Sequence, residues 1–452
     1  MRGLTRELWL GVGAPAAELE RLTVSDTGDV LPSVFRVTET ATASVAAATL
    51  AVAGLWQDRG GPPAAATVDT GSVGYAFSSE RRIERVGEPW PPIWDPIAGV
   101  YHASDGWIRL HTNFAAHRAA ALRVLGVPGD RERVAAGVRG WPAQQLEQAV
   151  LDAGGAAAAL RSAAQWRGGA QAAALASLPL VASAQVGAAG PAPRVPAPAP
   201  LAGVRVLDLT RVIAGPVAGR FLAAYGAEVL RIDGPAVEDS PVLIADTTVG
   251  KRAAVLDLRE PAGRERFERL VRGADVVLQA YRPGALDGLG YGPAELAELR
   301  PGLVVGTLSA YGGVGPWGGR RGFDSLVQFA TGIADEGRRA AGTEEPVPLP
   351  VQALDHATGY LLALGVVSAL RRRLADGGSW AVGVSLARTA GWLDGVGRAE
   401  PAAAPGVAGN LVDFTGPLGH TRHVPCPGEI AGYRPRWSSP PRPLGHDEPE
   451  WQ

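Results

Sequence analysis

The sequence predicts an α/β protein that combines a large domain, built on a mostly parallel sheet, with a small α+β domain. Three observations predict this fold class. Short apolar strand segments alternate with helical segments from residue 204 onwards, a Pro/Ala-rich stretch precedes them, and a short hairpin followed by helical segments lies before that stretch. Because crossovers between parallel strands are right-handed, we expect helices on both faces of the sheet.

The elements of the large domain follow one another closely along the chain. In order, they are strand 204–209 (VRVLDL), turn 210–216 (TRVIAGP), helix 217–226 (VAGRFLAAYG), strand 227–233 (AEVLRID), strand 253–258 (AAVLDL), helix 259–274 (REPAGRERFERLVRGA), strand 275–281 (DVVLQAY) and strand 302–311 (GLVVGTLSAY). Glycine ends the first of these helices, as is common at helix C-termini.

The rest of the sequence divides into further segments. VGAAGPAPRVPAPAPLAG alternates Pro with Ala, which favours an extended, semi-rigid linker. Before it, YHASDGWIRLHT predicts two short strands around an Asp-Gly turn, and a helical period follows. We expect a partial copy of a large-domain segment at 1–85, the small α+β domain at 86–185, the linker at 186–203, the large domain at 204–395 and an extended or partly disordered closing tail at 396–452.

An internal repeat connects the first segment with the large domain. Residues 357–387, which include the helical ATGYLLALGVVSALRRRLADGG, align without gaps with residues 41–71. Duplication explains this match, and chance similarity between two Ala-rich helices is the alternative. In this register Asp355 lies opposite Glu39.

The composition excludes several classes of function. The chain has 452 residues, of which 46% are hydrophobic, and its 43 Lys and Arg residues nearly balance 45 Asp and Glu residues. No nucleic-acid partner is expected, because such proteins carry an excess of basic residues. The single cysteine, Cys426, excludes a disulfide within the chain and a cysteine-based zinc site. No metal is expected.

The protein is expected to be cytoplasmic and to have no membrane association. Charged residues interrupt the apolar stretch of the N-terminus, which therefore lacks the core of a secretory signal. The longest weakly polar run, at 42–56, is shorter than the roughly 18 residues that a membrane span needs.

Two loops are candidate ligand sites. The turn at 210–216 opens a helix beyond the carboxyl end of a strand, where free N–H groups bind ligands in open α/β sheets. The Gly-rich segment 312–332 also follows a strand, and its Arg320 and Arg321 can bind phosphates. The alternatives are an ordinary strand-to-helix turn and a solvated loop.

Asp355 is the candidate nucleophile. It precedes a long apolar helix and has apolar sequence on both sides, so its carboxylate is expected to be partly desolvated and therefore more nucleophilic. The helix N-terminus compensates its charge. Nucleophilic carboxylates form anhydrides or esters with activated acyl groups. An N-cap is the alternative role, and the spacing does not decide between cap and catalyst.

The histidines and the cysteine supply little evidence for chemistry. His111 and His117 lie six residues apart, and His420 and His423 lie in the tail, where packing or surface roles are expected. Cys426 lies between two prolines, and no G-x-S-x-G motif is present. A hydrolase is therefore not expected.

Five motifs together resemble one known family. They are LAGVRVLDLTRVIAGPVAGRFLAAYGAEVLRID, GKRAAVLDL, ADVVLQAYRPGALDGLGYG, LVVGTLSAYGGVGPWGGRRGFDSLVQFATG and ALDHATGYLLALGVVSALRRRLADGG. In this order, over about residues 201–390, they resemble the family III CoA-transferases (the CaiB/BaiF group), which include formyl-CoA and carnitine CoA-transferases and the α-methylacyl-CoA racemases. Residues 90–185 resemble the small domain of that family. The resemblance implies a Rossmann-like large domain in a truncated-tandem or permuted arrangement.

The resemblance implies transfer of coenzyme A between an acyl-CoA thioester and a carboxylic acid. The family's nucleophilic aspartate matches Asp355, which would carry CoA as an aspartyl-CoA thioester. No permanently bound cofactor is implied, because CoA and acyl-CoA are substrates. The Gly-rich loop at 312–322 is the expected lid that excludes water. A homodimer is the expected assembly, although the partial repeat could supply some of its contacts within one chain.

The resemblance also implies which residues contact CoA, and it indicates that some basic residues of the family are absent from this chain. The implied contacts are Val212, Ile213, Ala214, Leu256, Asp257, Ala280, Tyr281, Arg282, Arg321 and Asp324. Gly234 and Gly288 occupy positions that are often basic in relatives. Either Arg231, Arg252 and Arg282 compensate for these losses, or CoA binds poorly.

Two alternatives stand beside CoA transfer. A non-catalytic binding or partner subunit would account for the missing basic residues and the unusual order of segments. An acyl-CoA racemase or isomerase is the other alternative. The racemase branch needs the His of its G-H-D motif, whereas this chain has Phe323, which cannot move a proton. The sequence does not indicate the acyl-CoA donor or the acid acceptor.

Overall fold

The computed structural model describes residues 1–400 and 409–452. The helices of the described residues are α1 (Arg2–Gly11), α2 (Val37–Asp58), α3 (Thr70–Ala76), α4 (Ser79–Arg82), α5 (Ala115–Leu125), α6 (Arg131–Arg139), α7 (Ala143–Asp152), α8 (Ala163–Arg167), α9 (Ala170–Ala176), α10 (Ala214–Ala224), α11 (Pro241–Thr248), α12 (Pro261–Arg272), α13 (Pro293–Leu299), α14 (Asp324–Ala330), α15 (Ile333–Ala341), α16 (Ala353–Ala375) and α17 (Leu386–Gly395). Short 3₁₀ turns lie at Ala16–Arg21 and Asp287–Leu289.

The strands alternate with these helices. They are β1 (Leu22–Ser25), β2 (Ala66–Asp69), β3 (Glu84–Arg85), β4 (Gly99–His102), β5 (Trp107–Leu110), β6 (Ala157–Ala159), β7 (Ala182–Gly187), β8 (Arg205–Leu209), β9 (Glu228–Asp233), β10 (Arg252–Val255), β11 (Val276–Gln279), β12 (Val304–Ser309), β13 (Ser379–Ser385), β14 (Val412–Gly416), β15 (Gly419–His423) and β16 (Glu429–Ile430).

A seven-stranded sheet in the order β10-β9-β8-β11-β12-β13-β7 forms the centre of the protein. The first six strands are mutually parallel, and the edge strand β7 pairs antiparallel with β13. The mixed α/β fold with a mostly parallel sheet is therefore confirmed. A parallel sheet of this kind directs the carboxyl ends of β8, β11 and β12 to one edge, where ligands of such folds bind.

Helices cover both faces of this sheet, as the alternation of strand side chains requires. Val206, Val276 and Val304 point to one face and belong to the hydrophobic cluster that contains α10 and α16. Their strand neighbours Leu207 and Val277 point to the other face, into a separate cluster with α12 and α13. Because both faces are buried, the strands are continuously apolar, as the sequence pattern indicated.

The two helices of the internal repeat pack directly against each other. Helices α2 and α16 share more contacts than any other pair of elements in the described protein. Each is followed by a strand that leads into a capped helix: Asp69 accepts a hydrogen bond from Ser72 N, and Ser385 from Arg388 N. In the predicted alignment these two caps occupy equivalent positions, so both copies form the same arrangement of elements.

The small sheet β4-β5-β6 and helices α5 to α7 enclose a core of their own, which includes Ile108, Leu110, Val134 and Val150. Strand β7, at 182–187, follows this unit and joins the large sheet instead. The end of the predicted small domain, at residue 185, therefore falls inside a strand of the large sheet. Strands β7 and β13 are 190 or more residues apart, and no local sequence pattern predicts their pairing.

The closing tail lies along the rest of the protein in extended form. Strands β14 and β15 form a hairpin that pairs with β3, and β16 adds to β2. Farther on, the indole N–H of Trp437 donates to Arg220 O over 3.0 Å, and that of Trp451 to Leu270 O over 3.0 Å. Residues 401–408 of the predicted tail lie outside the described residues.

Helix α16 is long and apolar enough to span a membrane by length and composition, but its apolar window is completely buried inside the protein. Several element boundaries differ from the sequence prediction, and two of them bear on the site. Helix α10 begins at Ala214, three residues before the predicted start, because Gly215 and Pro216 fit within its first turn. Strand β10 ends at Val255, before the predicted end at 258.

A buried ion pair supports the turn that leads into α10. The ammonium of Lys251, the only lysine, donates to Asp208 Oδ2 over 2.7 Å and to Pro216 O over 2.9 Å. Both side chains of the ion pair are fully buried. Burial lowers the pKa of Lys251 to about 8, and the Asp208 carboxylate partly opposes this shift. The pair thus ties β8 to the turn at 210–216.

Removing the cation of this pair is expected to destabilise the fold. Lys251→Met leaves the Asp208 carboxylate buried without a counter-charge, and we expect the free energy of unfolding to fall by about 3–5 kcal/mol in urea titrations. Adding Asp208→Asn should recover more than half of this loss. The control Arg266→Gln, which breaks an exposed pair with Glu448, should change stability by less than about 1 kcal/mol. A similarly small effect of Lys251→Met would contradict the interpretation.

Candidate active site

A cleft of about 550 Å³ lies at the carboxyl ends of β8, β11 and β12. One wall comes from the large sheet and its loops, and the opposite wall comes from the first turn of α5 in the small unit. The lining residues are Phe114, Ala115, Ala116, His117, Arg211, Val212, Ile213, Ala214, Ala236, Glu238, Ala280, Tyr281, Arg282, Pro283, Leu308, Ser309, Ala310, Arg320, Arg321, Gly322, Phe323, Asp355 and Leu386. A cleft of this size is typical of small-molecule sites.

Asp355 lies in the first turn of α16 and lines this cleft. Its side chain is nearly buried, and burial raises its pKa well above the usual value, with further contributions from the carboxylates of Asp324 and Glu80. No side chain caps this helix end, so the carboxyl of Asp355 does not act as a cap. Its position instead leaves the carboxyl available to the cleft.

Asp324 lies directly beside Asp355, at the start of α14. Its Oδ2 accepts the backbone N–H of Asp355 over 3.0 Å, and its Oδ1 accepts the side-chain amide of Gln328. Burial raises the pKa of Asp324 to about 6, whereas the hydrogen bonds from Asp355, Gln328 and Leu354 lower it. Asp324 therefore holds the backbone at the start of α16 and does not line the cleft.

Glu80 brings the N-terminal segment to the same place. His356 Nε2 lies 3.1 Å from Glu80 Oε2, and both side chains are buried. The His356 ring also stacks on Phe77, with ring centroids 5.1 Å apart. Sequence reasoning missed Glu80, because it lies 276 positions from His356 and no local signal connects the two.

An aromatic cluster forms the small-unit side of the cleft. Phe323 stacks on His111 with centroids 3.6 Å apart and on Phe114 with centroids 5.8 Å apart. It meets His117 edge-on, with centroids 5.9 Å apart. Burial lowers the pKa of His111 to about 3 and that of His117 to about 4, and the charges of Arg321 and Arg211 add to the effect on His117. Both imidazoles are therefore neutral at pH 7. His117, for which the sequence predicted a packing or surface role, lines the cleft.

Three arginines give the cleft a positive surface. Arg211, Arg282 and Arg321 line it, and no described carboxylate oxygen lies within 4.0 Å of their guanidinium nitrogens. Arg211 is oriented by the Phe114 ring, 4.9 Å away, and by the carbonyl of Glu238. Unpaired guanidinium groups of this kind are suited to bind phosphates.

The other arginines considered from the sequence are engaged elsewhere. Arg231 pairs with Asp233 at 2.7 Å inside the large domain, and Arg252 pairs with Asp447 of the tail at 3.7 Å. Only Arg282 of the three suggested substitutes lines the cleft. Arg211 lies two residues after the end of β8 and also lines the cleft, but the sequence did not indicate it as a ligand-binding residue.

The Gly-rich loop is anchored to the small unit. Arg320 forms an ion pair with buried Glu147 at 3.1 Å and lies 3.9 Å above the Trp317 ring. The side chain of Gln171 donates to Tyr311 O and Val314 O and accepts from Trp317 N. Any lid motion of residues 312–322 has to break these contacts.

Most of the implied CoA contacts lie together in the structure. Val212, Ile213, Ala214, Ala280, Tyr281, Arg282 and Arg321 all line the cleft with Asp355. Leu256, Asp257 and Asp324 do not. Strand β10 ends before both Leu256 and Asp257. Leu256 is buried in the cluster beneath α12, and Asp257 pairs with Arg259 at 2.9 Å.

The backbone of Val212 is strained. Its φ is +69°, the only positive φ of a non-glycine residue in the described chain. A β-branched residue in the left-handed region is energetically unfavourable, and such residues concentrate at functional sites. The strained turn projects the backbone of residues 212 to 214 into the cleft.

No group of three or more His, Cys, Asp or Glu residues among those described is placed to hold a metal ion.

Comparisons with known proteins find similar sequences. Residues 201–405 match the model of CoA-transferase family III. The probable fatty acyl-CoA transferase Rv3272 of Mycobacterium tuberculosis is 36% identical over 191 residues, which are 39% of this chain and 48% of that protein. An acyl-CoA transferase of Gibberella moniliformis is 31% identical over 328 residues, which are 65% of this chain and 57% of that protein.

A crystal structure of Rv3272 in an orthorhombic form is 35% identical in sequence, covers 46% of this chain and 57% of that chain, and has a TM-score of 0.41. The chain spans about half the length of the curated relatives described above. The family match covers Asp324, Asp355 and the cleft loops of the large domain, but not Phe114 to His117 of the small unit. Residues 201–405 of this chain therefore resemble CoA-transferase family III.

Proposed function

We propose that the protein transfers coenzyme A between an acyl-CoA thioester and a carboxylic acid, with Asp355 as the nucleophile. The observation that carries this proposal is the position of the Asp355 carboxyl in a cleft that also presents three unpaired arginines. A carboxylate nucleophile and cationic groups in one cleft suit a substrate that carries both a thioester and phosphates. The names of the relatives support the same reaction class.

The reaction follows from exchanges at carbonyl carbon. Asp355 attacks the thioester carbonyl of acyl-CoA, a C–O bond forms, and the C–S bond breaks to release CoA thiolate. The thiolate attacks the aspartyl carbonyl of the mixed anhydride, which gives aspartyl-CoA and releases the first acid. The acceptor carboxylate then attacks aspartyl-CoA and again releases the thiolate. Attack of this thiolate on the acceptor's acyl carbon forms the new acyl-CoA and restores Asp355.

The surroundings of Asp355 favour these exchanges. Burial strips water from its carboxylate, which makes the ion a stronger nucleophile, and the N-terminal end of α16 supplies a compensating dipole. The anchored loop at 312–322 limits access of water, which would hydrolyse the anhydride and the aspartyl thioester. Phe323 and the neutral His117 also line the cleft, and neither supplies a charged acid or base.

The assembly and location are also proposals. A homodimer is the expected assembly, and the cytoplasm is the expected location. The N-terminal segment contributes Glu80 to the environment of Asp355 within one chain, which supports the idea that the partial repeat supplies contacts of its own.

Covalent trapping tests the nucleophile. Incubation with an acyl-CoA should add the mass of an acyl or CoA group to the intact protein, and Asp355→Asn should abolish the adduct. Asp335→Asn, which changes a buried carboxylate of α15 that pairs with Arg338 and Arg339, is the control and should retain it. Absence of an adduct in the wild type at saturating acyl-CoA would favour a non-catalytic binding subunit.

The unpaired arginines are expected to bind CoA phosphates. Replacing Arg321 or Arg282 by Gln should raise the Kd of CoA by roughly tenfold, the equivalent of losing one charged hydrogen bond of about 1.5 kcal/mol. The control is Arg6→Gln, an exposed change in α1 that should leave the Kd unchanged. Calorimetric titration measures both. Equal Kd values for all variants would contradict the assignment.

The rate of adduct formation is expected to increase with pH. Asp355 reacts as the anion, and its pKa is raised, so the reactive fraction grows as the pH rises through that value. Of the two neighbouring carboxylates, Asp324 raises the pKa of Asp355 more. Asp324→Asn should therefore move this rising limb to lower pH, and Glu80→Gln should move it less. Single-turnover rates measured by intact mass between pH 5 and 9 report the limb. A shift to higher pH, or none, would be inconsistent with the electrostatic argument.

A further inference from the structure

We propose that the small unit carries a second ligand site, which binds the carboxylate of a small aromatic acid between Arg109 and Arg131. The site is a cavity of about 400 Å³ lined by Trp94, Ala98, Gly99, Val100, Trp107, Arg109, Arg131 and Glu345. None of these residues lines the cleft that contains Asp355. The volume is sufficient for a benzoate-sized ligand.

Arg109 is a half-buried cation whose guanidinium forms no ion pair with the described residues. It lies in β5, its Nε is buried and makes no hydrogen bond to the described protein, and no described carboxylate oxygen lies within 4.0 Å of its guanidinium. Burial lowers the pKa of Arg109 to about 10, the Asp324 carboxylate partly opposes this shift, and the charge of Arg131 adds to it. A partly desolvated guanidinium without an ion-pair partner is unfavourable, and a bound oxyanion would satisfy both its charge and its free donors.

Arg131 supplies a second, fixed cation on the same cavity. Its Nη1 donates to Ala98 O over 3.2 Å and to Pro96 O over 3.4 Å, and its guanidinium lies 5.1 Å from the Tyr101 ring. Gly99 permits this close approach, since a Cβ there would lie 2.9 Å from the guanidinium nitrogens. These contacts orient Arg131 but leave its charge unpaired, and it repels Arg109.

The walls of the cavity select an aromatic ligand. Trp94 lies 5.0 Å from the Arg109 guanidinium and is 39% exposed, which is unusual for so large an apolar side chain. Trp107 lies in the same strand as Arg109 and faces the same cavity. Two indole side chains on the wall suit an aromatic ligand, and a carboxylate suits the guanidinium fork. Glu345 at the rim disfavours a dianion such as phosphate.

Calorimetric titration of the full-length protein with benzoate tests the site. The titration is done in saturating CoA, so that the main cleft is occupied. We expect benzoate to bind, and Arg109→Gln and Arg131→Gln each to weaken it at least tenfold. Arg133→Gln is the matched control. Arg133 lies in helix α6, as Arg131 does, is exposed and pairs only with Asp130. It should bind benzoate as the wild type does.

Three further measurements make the outcome decisive. Benzyl alcohol should not bind, and inorganic phosphate should bind more weakly than benzoate. Unfolding curves of each variant establish that it is folded, and if Arg109→Gln is not, Arg131→Gln alone carries the test. The proposal is overturned if wild-type protein does not bind benzoate, if phosphate binds more tightly, if CoA displaces benzoate, or if a folded Arg131→Gln variant binds normally.

Discussion

The burial of a carboxyl group at the start of α16 is the constraint on which the rest of the site depends. Asp355 is nearly excluded from water, beside Asp324 and near Glu80, so three acidic groups share one small region. Burial disfavours the ionisation of Asp355 and Asp324, whereas backbone N–H groups that donate to Asp324 and the N-terminal end of α16 favour the charged forms. This balance suits the proposed role of Asp355 as a nucleophile and also requires the neighbouring elements to hold their positions.

Those elements come from distant parts of the chain. Asp324 precedes α14 and accepts the Asp355 N–H, whereas Glu80 follows the N-terminal copy of the repeated helix and strand. The packing of α2 against α16 brings that copy into position. The small unit completes the arrangement, because Phe114 and His117 face the large domain, and Glu147 anchors Arg320 of the Gly-rich loop.

The two sets of arginines differ in how their charge is used. Arg231, Arg252 and Arg320 are paired with carboxylates and support the fold. Arg211, Arg282 and Arg321 face the main cleft, and Arg109 and Arg131 face the second cavity. Because a protein gains little from a desolvated cation without a partner, the unpaired groups are the ones that indicate ligands.

The sequence by itself determined the α/β class, the order of the large-domain strands along the chain, the repeated helix and strand, and Asp355 as a candidate. Each depends on local patterns: apolar strand segments, helical periods, and an acidic residue before an apolar helix. The tertiary structure alone decided the roles of Glu80, Arg211, His117 and Arg109, and the exclusion of Leu256 and Asp257 from the cleft. Their roles depend on contacts between residues far apart in the chain and on where a strand ends, and neither property leaves a local pattern.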